Sequence, residues 1–412
     1  MLKRLTNFAL KMFVVLFPSE KPLLFVGVNS TIQLASLARA SGSKRPLLVT
    51  GKSLLKRGLL DELLEHFKNE GCEVTVFDGI IPNPTYEVIE EGIRACQEND
   101  CDSVFAIGGG SAIDAAKAIA ACSSNNVSIE RVVGLLKVKK PTLPFYVVPT
   151  TSGTGSEVTS SAVISETQTH QKKFIVDPKL IPSAAALDAN MLKSLPPHIT
   201  AATGMDALTH AIESYTSLNR FSDAERDAKL AIALLFEYLP VVYKDGNNLE
   251  ARQSVALGSF LAAYAFNKSG LGYVHAISHQ LSAHYNTPHG LTNAIVLPRI
   301  LRFNKPACSA RFANLERMLS GTNPGVDEQL ADRFIARVDA LARELNIPSE
   351  LKELETKHYN AITKNALKEA KSFYAVPRLM SSKQCKNILA SITKGVTTGD
   401  RVAQTGQVTH AG

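Results

Sequence analysis

The stretch DSVFAIGGGSAIDAAKAIA, residues 102–120, predicts a buried strand that runs through three glycines into a helix. Gly108, Gly109 and Gly110 allow backbone amides to approach a bound phosphate closely, and the N-terminus of the helix adds partial positive charge. The stretch is not the G-x-G-x-x-G fingerprint, because its third glycine would fall on Ile113, and no Walker lysine follows. A tight turn without a ligand is therefore the alternative interpretation.

Two polar side chains stand at the start of this predicted helix. Ser111 is expected to cap it, and Asp114, three residues later, is expected to complete an arrangement like a capping box. These two residues therefore predict that the helix begins directly after the glycines.

A second loop of the same kind strengthens the phosphate hypothesis. FYVVPTTSGTGSEVTSSAVI, residues 145–164, again runs from a strand into small, hydroxyl-bearing residues, among them Thr150, Thr151 and Thr154. Taken alone it could be a flexible surface loop. Two such loops after two parallel strands favour a nucleotide-binding crevice.

The pattern around the loops predicts two domains. Short apolar runs alternate with helical stretches up to about residue 195; PLLVT at 46–50, for example, predicts a strand, and residues 53–71 predict one helix that ends at Gly71. This alternation predicts a Rossmann-like α/β domain with a parallel sheet at 1–195. Beyond the Pro196 and Pro197 pair, apolar residues recur at helical spacing, which predicts an all-α domain at 196–412.

Charge and cysteine usage narrow the class of protein. The 412 residues include 45 Lys and Arg against 38 Asp and Glu, a net charge of +7, but no long basic block occurs. Mild attraction for phosphorylated ligands is therefore expected and nucleic-acid binding is not. None of the six cysteines forms a C-x-x-C pair, so reduced thiols and a cytoplasmic location are expected.

The two ends of the chain give weaker signals. MLKRLTNFALKMFVVLFP at 1–18 is interrupted by Lys11 and lacks a small-residue cleavage site, so an amphipathic strand or helix is expected rather than a signal peptide. The polar tail at 397–412 is expected to be disordered. No segment approaches the ~20 apolar residues of a membrane span, and no membrane partner is expected.

Helical spacing sorts most of the candidate metal ligands. Asp206 and His210 are four residues apart and project from one face of a helix. His275 and His279 also share a face, whereas His284 points about 180° away at ~100° per residue and is expected to lie outside any site.

A break in the helical pattern isolates the next histidine. Asn286, Thr287 and Pro288 end the helix, which leaves His289 on a turn that can swing back. One carboxylate with up to three neutral imidazoles suits Fe(II), Zn(II) or a similar ion, and the remaining single positive charge would stabilise an alkoxide. Spacing does not decide whether His279 is a third histidine ligand or a neighbour.

These segments together resemble the iron-containing, or group III, alcohol dehydrogenase family. Six segments carry the resemblance and occur in the family's order between about residues 20 and 320: PNPT, GGGSAIDAAKA, VPTTSGTGSEVT, IVDPKLIP, AATGMDALTHAIE and GYVHAISHQLSAHYNTPHGLTNAI. The resemblance implies a dehydroquinate synthase-like architecture, with the nicotinamide cofactor in the cleft between an α/β domain and a helical metal-binding domain.

The resemblance also implies roles for individual residues. The metal ligands would be Asp206, His210, His275 and His289. His279 would be a non-ligand beside the nicotinamide, a candidate for proton relay or substrate contact. The cofactor-binding set would comprise Asn83, Gly109, Gly110, Ser111, Asp114, Thr150, Thr151, Thr154 and Lys172, with Lys173 as a substitute for Lys172 at the nicotinamide ribose.

One position departs from the family pattern. Gly51 follows the strand PLLVT where many relatives have an aspartate, and Lys52, Lys56 and Arg57 lie nearby. An aspartate would bind the ribose 2′-hydroxyl and repel a 2′-phosphate. Gly51 therefore predicts that NADP(H) is accepted and even preferred.

The expected function is hydride transfer between NAD(P) and a small alcohol or aldehyde, with Fe(II), or alternatively Zn(II), stabilising the alkoxide. The proton would travel through water, the ribose hydroxyls or His279. A dehydrogenase for a diol, lactaldehyde or hydroxy acid is the near alternative. A dehydroquinate-synthase-type lyase and a non-catalytic nucleotide sensor are more distant ones. A homodimer is expected.

Overall fold

The computed structural model describes residues 20–167, 171–193, 195–321 and 324–394. Its first half contains nine strands: β1 (Leu23–Val26), β2 (Pro46–Val49), β3 (Thr75–Phe77), β4 (Ser103–Gly108), β5 (Gly134–Leu135), β6 (Phe145–Pro149), β7 (Ser161–Glu166), β8 (Gln171–Val176) and β9 (Ala184–Leu187). Six of them form a sheet in the order β1-β9-β6-β4-β2-β3, and every neighbouring pair in it is parallel. The predicted parallel α/β fold is confirmed.

The central strands are apolar on both faces because helices cover the sheet on both sides. All residues of β2, β4 and β6 are buried, as expected for parallel strands. The helices of this half are α1 (Ser30–Ala40), α2 (Lys52–Lys56), α3 (Asp61–Asn69), α4 (Tyr86–Glu98) and α5 (Gly110–Asn125). A second sheet, in the order β5-β8-β7, flanks the second glycine loop.

Helices are the main regular elements of the described second half, which confirms the helical fold predicted from apolar spacing. Its helices are α6 (Pro197–Thr216), α7 (Ser222–Lys244), α8 (Leu249–Ser269), α9 (Tyr273–Tyr285), α10 (His289–Ser320), α11 (Asp327–Glu344), α12 (Tyr359–Phe373) and α13 (Ser382–Ser391). Pro196 precedes α6 and Pro197 is its first residue, where a proline needs no amide hydrogen. In the described part of the chain, no helix is long and apolar enough to cross a membrane.

Three local predictions differ from the structure. The helix expected at 53–71 is divided into α2 and α3, because Gly58 takes a positive φ of 67°. The predicted Ser111 cap is wrong: Gly109 occupies the N-cap position of α5 and no side chain caps it. His289 is the first residue of α10 rather than part of a turn. The predictions for residues 1–18 and 397–412 lie outside the described residues.

The second glycine loop joins the two halves of the molecule. A Cβ added to Gly153 would lie 2.7 Å from Cβ of Thr203 on α6. A Cβ added to Gly155, which has a φ of 59°, would lie 1.9 Å from Cβ of Ala263 on α8. Only glycine permits these approaches, so the loop that follows β6 packs directly against α8 and against α6, the helix that carries Asp206 and His210.

Candidate metal and cofactor site

Helix α6 presents three acidic or imidazole side chains on one face. Asp206, His210 and Glu213 are separated by four and three residues, so they follow one another along the helix. All three are buried. The described residues therefore place two carboxylates and one imidazole in the interior of the helical half, where charged groups need partners.

The predicted metal ligands converge on one carboxylate oxygen. Oδ1 of Asp206 lies 3.7 Å from Nε2 of His275, 3.8 Å from Nε2 of His289 and 3.9 Å from Nε2 of His210. The candidate ligand atoms of Asp206, His210 and His275 all lie within 4.8 Å of one another. The structure thus brings together Asp206, His210, His275 and His289, called here the Asp206 cluster, from α6, α9 and α10.

These residues fit a single divalent ion. Oxygen and nitrogen ligands bind such ions at ~2.0–2.2 Å, so two ligands of one ion lie at most about 4.4 Å apart, and the three Asp206 to histidine distances satisfy this limit. One carboxylate with three imidazoles is a donor set that Fe(II) and Zn(II) accept.

Glu213 orients one of these histidines. Its Oε2 lies 2.7 Å from Nδ1 of His275, and its two oxygens also accept hydrogen bonds from the backbone amides of Gly272 and Val274 at the start of α9. Because the carboxylate only accepts, Nδ1 of His275 carries the hydrogen and Nε2 is left to face Asp206.

Asn293 lies among the same atoms. Its Nδ2 donates to Oδ1 of Asp206 at 2.6 Å and lies 3.1 Å from Nε2 of both His275 and His289. Its own Oδ1 is buried without a hydrogen-bond partner among the described residues. An unsatisfied buried oxygen at this point is consistent with a site built around a further group.

Burial and charge set the protonation of the cluster. Burial lowers the pKa of His210 to about 3 and holds the pKa of His289 well below its usual value, so both are neutral at pH 7. Burial also acts to lower the pKa of His275, but the neighbouring carboxylates of Asp206 and Glu213 raise it to about 9. Although burial opposes ionisation of Asp206, His210 and the other imidazoles lower its pKa, so it remains a carboxylate.

His279 lies beside the cluster with a different partner. Its ring stacks on that of His289 at a centroid distance of 5.1 Å, while its Nδ1 lies 2.6 Å from Oε1 of Glu369 on α12. His284 is exposed and packs edge-on against His358 instead, away from the Asp206 cluster.

The two glycine loops face each other at the ends of adjacent strands. Gly108 pairs with Pro149 across β4 and β6, and the Thr150 amide donates to the Gly108 carbonyl at 2.9 Å. A Cβ on Gly109 would lie 3.3 Å from the Thr151 side chain, and one on Gly110 would lie 2.8 Å from Oγ1 of Thr154. The predicted cofactor residues of both loops are therefore brought together.

The remaining residues at the start of α5 connect this region to its surroundings. The backbone amide of Asn83, which has a φ of 56°, donates to Oγ of Ser111 at 3.3 Å. Asp114 accepts from Oγ of Ser156 and, at 3.0 Å, from the Val163 amide. Both carboxylate oxygens of Asp114 thus hold the second glycine loop and β7 against α5.

Two buried ionisable side chains that the sequence reasoning missed, Lys117 and Glu157, lie near the same loop. Nζ of Lys117 donates to the Thr159 and Ser161 carbonyls at 2.7 and 2.8 Å. Burial lowers its pKa to about 8. Glu157 is also buried, which raises its pKa to about 7, and its Oε2 has no partner among the described residues.

The last two predicted cofactor positions, Lys172 and Gly51, lie outside the two glycine loops in the sequence. Lys172, on β8, contributes positive charge at Asp114, whereas the adjacent Lys173 forms a 3.2 Å ion pair with Glu166. Gly51 precedes α2 with a φ of −106°, and a Cβ there would meet only the Ile80 carbonyl oxygen at an ordinary 3.5 Å. The structure therefore has room for a side chain at position 51, although the residue there is glycine.

Sequence reasoning missed Glu213, Asn293 and Glu369. Glu213 and Asn293 could have been found, because each follows a candidate ligand at three or four residues on the same helix. Glu369 gave no signal, since it stands 90 residues from His279.

Comparison with known proteins identifies the family. The model for the iron-containing alcohol dehydrogenase matches residues 22–189, and that for the C-terminal domain of the Fe-containing alcohol dehydrogenase family matches residues 200–393. A 1,3-propanediol dehydrogenase of Klebsiella pneumoniae is 35% identical over 88% of this chain and 94% of its own. Alcohol dehydrogenase 4 of Schizosaccharomyces pombe is 37% identical over 84% of this chain and 81% of its own.

Solved structures agree with these sequence relatives. The crystal structure of a 1,3-propanediol oxidoreductase superposes with a TM-score of 0.86 at 34% identity and covers 90% of this chain and 97% of its own. An alcohol dehydrogenase from Oenococcus oeni gives a TM-score of 0.86 at 33% identity, over 90% of this chain and 98% of its own. The resemblance drawn from the motifs is confirmed, and the chain belongs to the iron-containing alcohol dehydrogenase family.

Proposed function

We propose that this chain is a metal-dependent, nicotinamide-linked dehydrogenase that interconverts a small alcohol and its aldehyde. The observation that carries the proposal is the convergence of His210, His275 and His289 on Asp206, directly beside the second glycine loop. Gly153 of that loop touches Thr203, which stands less than one turn before Asp206 on α6. A nucleotide held by the loops would therefore end close to an ion held by the cluster.

The four proposed ligands are Asp206, His210, His275 and His289, with Fe(II) as the preferred ion and Zn(II) as the alternative. When bound, such an ion supplies a Lewis acid for the oxygen of an alcohol or carbonyl, and a bound nicotinamide supplies a hydride acceptor or donor. Glu213 and Asn293 hold His275 and Asp206 in place through hydrogen bonds of 2.7 and 2.6 Å.

His279 is the proposed proton carrier. It is placed beside His289 but is engaged at Nδ1 by Glu369, so its Nε2 is the ring atom that remains free to exchange a proton with a substrate oxygen. Its side chain is 28% exposed, which gives that proton a route to water.

The cofactor would be held by Gly109, Gly110, Ser111 and the threonines of the second loop, with Asn83 and Lys172 beside them and Asp114 supporting that loop. NADP(H) is the proposed preference, because Gly51 offers no carboxylate to repel a 2′-phosphate and the exposed Lys52 and Lys56 stand next to it. Gly51→Asp is expected to shift the preference towards NAD(H), since the site has room for the side chain. A wild-type enzyme that favours NAD(H) by more than about tenfold would refute the NADP(H) proposal.

The substrate class is tested with a panel of primary alcohols, 1,3-propanediol, lactaldehyde and a hydroxy acid, each with both cofactors, on protein of measured metal content. Several relatives are named for alcohols, 1,3-propanediol or lactaldehyde, which supports these choices over a lyase or a non-catalytic sensor. Turnover should require the metal, disappear with a chelator and return with Fe(II) or Zn(II). Absence of turnover by metal-loaded protein across the panel would overturn the proposal.

A homodimer in the cytoplasm is proposed as the working state. The edge strand β1 exposes Leu23 and Val26, and exposed apolar edges are commonly covered by another chain. All six cysteines are free thiols, which supports a reducing compartment. The mass in solution and the location in fractionated cells test these two statements.

A further inference from the structure

His279 is connected to a polar group from the last third of the chain. Oε1 of Glu369 lies 2.6 Å from Nδ1 of His279 and also accepts the hydroxyl of Tyr374 at 2.7 Å. The other oxygen, Oε2, accepts from Nε2 of Gln280 at 3.1 Å. The Glu369 side chain is 19% exposed, so these three contacts largely define its surroundings. The carboxylate of Glu369 is thus held by two side chains of α9 and by one from the segment that follows α12.

This arrangement decides which nitrogen of His279 carries hydrogen. A carboxylate accepts hydrogen bonds and does not donate them, so the nitrogen that faces it must be a donor. Tyr374 and Gln280 are donors as well, which leaves Glu369 in the acceptor role at every contact. Neutral His279 must then be the Nδ1–H form, with the lone pair on Nε2.

We propose that Glu369 is a positioning residue that holds His279 in the Nδ1–H form, so that Nε2 accepts the alcohol proton during oxidation. The proposal rests on the proposed function. The O–H bond of the alcohol breaks and an N–H bond forms at Nε2. The C–H bond of the carbon that bears the oxygen breaks as well, its electron pair would leave with the hydride to a bound nicotinamide, and the electron pair of the former O–H bond forms the C=O bond. Glu369 stabilises the resulting imidazolium, and the reverse transfer serves aldehyde reduction.

The test compares Glu369→Gln with Glu316→Gln. Glu316 is a matched control because it is a buried carboxylate in the same helical half, paired with Arg337 at 2.7 Å and outside the cluster. Glu369→Gln is expected to keep its metal content and its KM for the cofactor while kcat falls about 10- to 100-fold, because positioned proton transfer contributes on this scale. Glu369→Asp should recover part of kcat, and Tyr374→Phe should lower it less than Glu369→Gln does.

A second measurement does not depend on turnover. In Zn(II)-loaded protein with ¹⁵N-labelled histidine, the His279 signals, assigned by their loss in His279→Gln, should show a protonated Nδ1 and an unprotonated Nε2. A protonated Nε2 in neutral wild-type His279 would overturn the inference even if the enzyme is active. An inactive enzyme with the expected Nδ1–H form would instead count against the proposed function.

Two further outcomes would also overturn the inference. Equal kcat values for Glu369→Gln, Glu316→Gln and the wild type would show that the contact has no catalytic consequence. Loss of metal in Glu369→Gln but not in Glu316→Gln would show that Glu369 supports the metal cluster rather than His279.

Discussion

The glycine loops and the Asp206 cluster are each held together in a different way. The loops at 108–111 and 150–156 rely on small residues and close backbone approach, so their stability depends on the space available to each residue. The cluster consists of buried imidazoles and a carboxylate from three helices, so its arrangement depends on charge and on hydrogen bonds. A steric change should therefore disturb the first region, and an isosteric change of charge should disturb the second.

The largest effect is expected for His275→Ala, which removes a proposed metal ligand that no neighbouring side chain replaces. Metal content of the purified protein should fall far below one ion per chain, and the affinity should drop by more than the ~100-fold that loss of a supporting residue can cause. His284→Ala is the control, because His284 is exposed and packs against His358. Stoichiometric metal in His275→Ala would show that the ligand assignment is wrong.

Gly155→Ala tests the steric side of the comparison. Its new Cβ would lie 1.9 Å from Cβ of Ala263 at a φ of 59°, so overpacking and an unfavourable backbone should together lower the free energy of unfolding by about 3 kcal/mol or more. Gly71→Ala is the control: its φ is 68°, no atom lies within 4 Å of the added Cβ, and a loss of about 1–2 kcal/mol is expected. Denaturant unfolding measures both, and equal losses would show that the loop tolerates the contact.

Glu213→Gln tests the charge side with almost no change of shape. The amide can still accept a hydrogen bond from His275, but the negative charge that favours the ligand is lost, so metal affinity should fall about 10- to 100-fold. Titration with a competing chelator measures it. Unchanged affinity would mean that shape alone holds His275 in place.

Glu157→Gln has the smallest expected effect. It tests an isosteric change of charge beside the second glycine loop. Burial raises the pKa of Glu157 to about 7 from its usual 4.5. As pH rises through this interval the unfolded chain releases the proton while the folded chain keeps it, so the wild type loses stability. Glutamine does not titrate. The variant should therefore gain about 1–2 kcal/mol relative to the wild type between about pH 5 and pH 6.5. Parallel pH profiles of the unfolding free energy would contradict this.

Much of the fold was predictable because the relevant patterns are local. Apolar runs between glycines marked β4 and β6, and spacing of three and four residues marked the helices of the second half. The Ser111 cap failed for a local reason as well: the N-cap of α5 is Gly109, two residues before Ser111, and no side chain caps the helix there. The preferences of serine and glycine for the N-cap position do not decide between Ser111 and Gly109.

The candidate site was only partly predictable, because its geometry is long-range. Spacing paired Asp206 with His210 and His275 with His279, but it could not bring α6 to α9, and the family resemblance supplied that connection. Spacing also could not predict that Nδ1 of His279 contacts Glu369 while Nδ1 of His275 contacts Glu213. Two histidines four residues apart on one helix acquire different partners only through the packing of α6 and α12.

The placement of the cluster on three helices has a thermodynamic consequence. An ion bound by residues between Asp206 and His289 would tie α6, α9 and α10 together only in the folded chain, since the unfolded chain presents no such arrangement. Its binding free energy then adds to the stability of the native state in proportion to the logarithm of its free concentration. Metal supply would thus set the lifetime of the protein against unfolding and proteolysis as well as its activity.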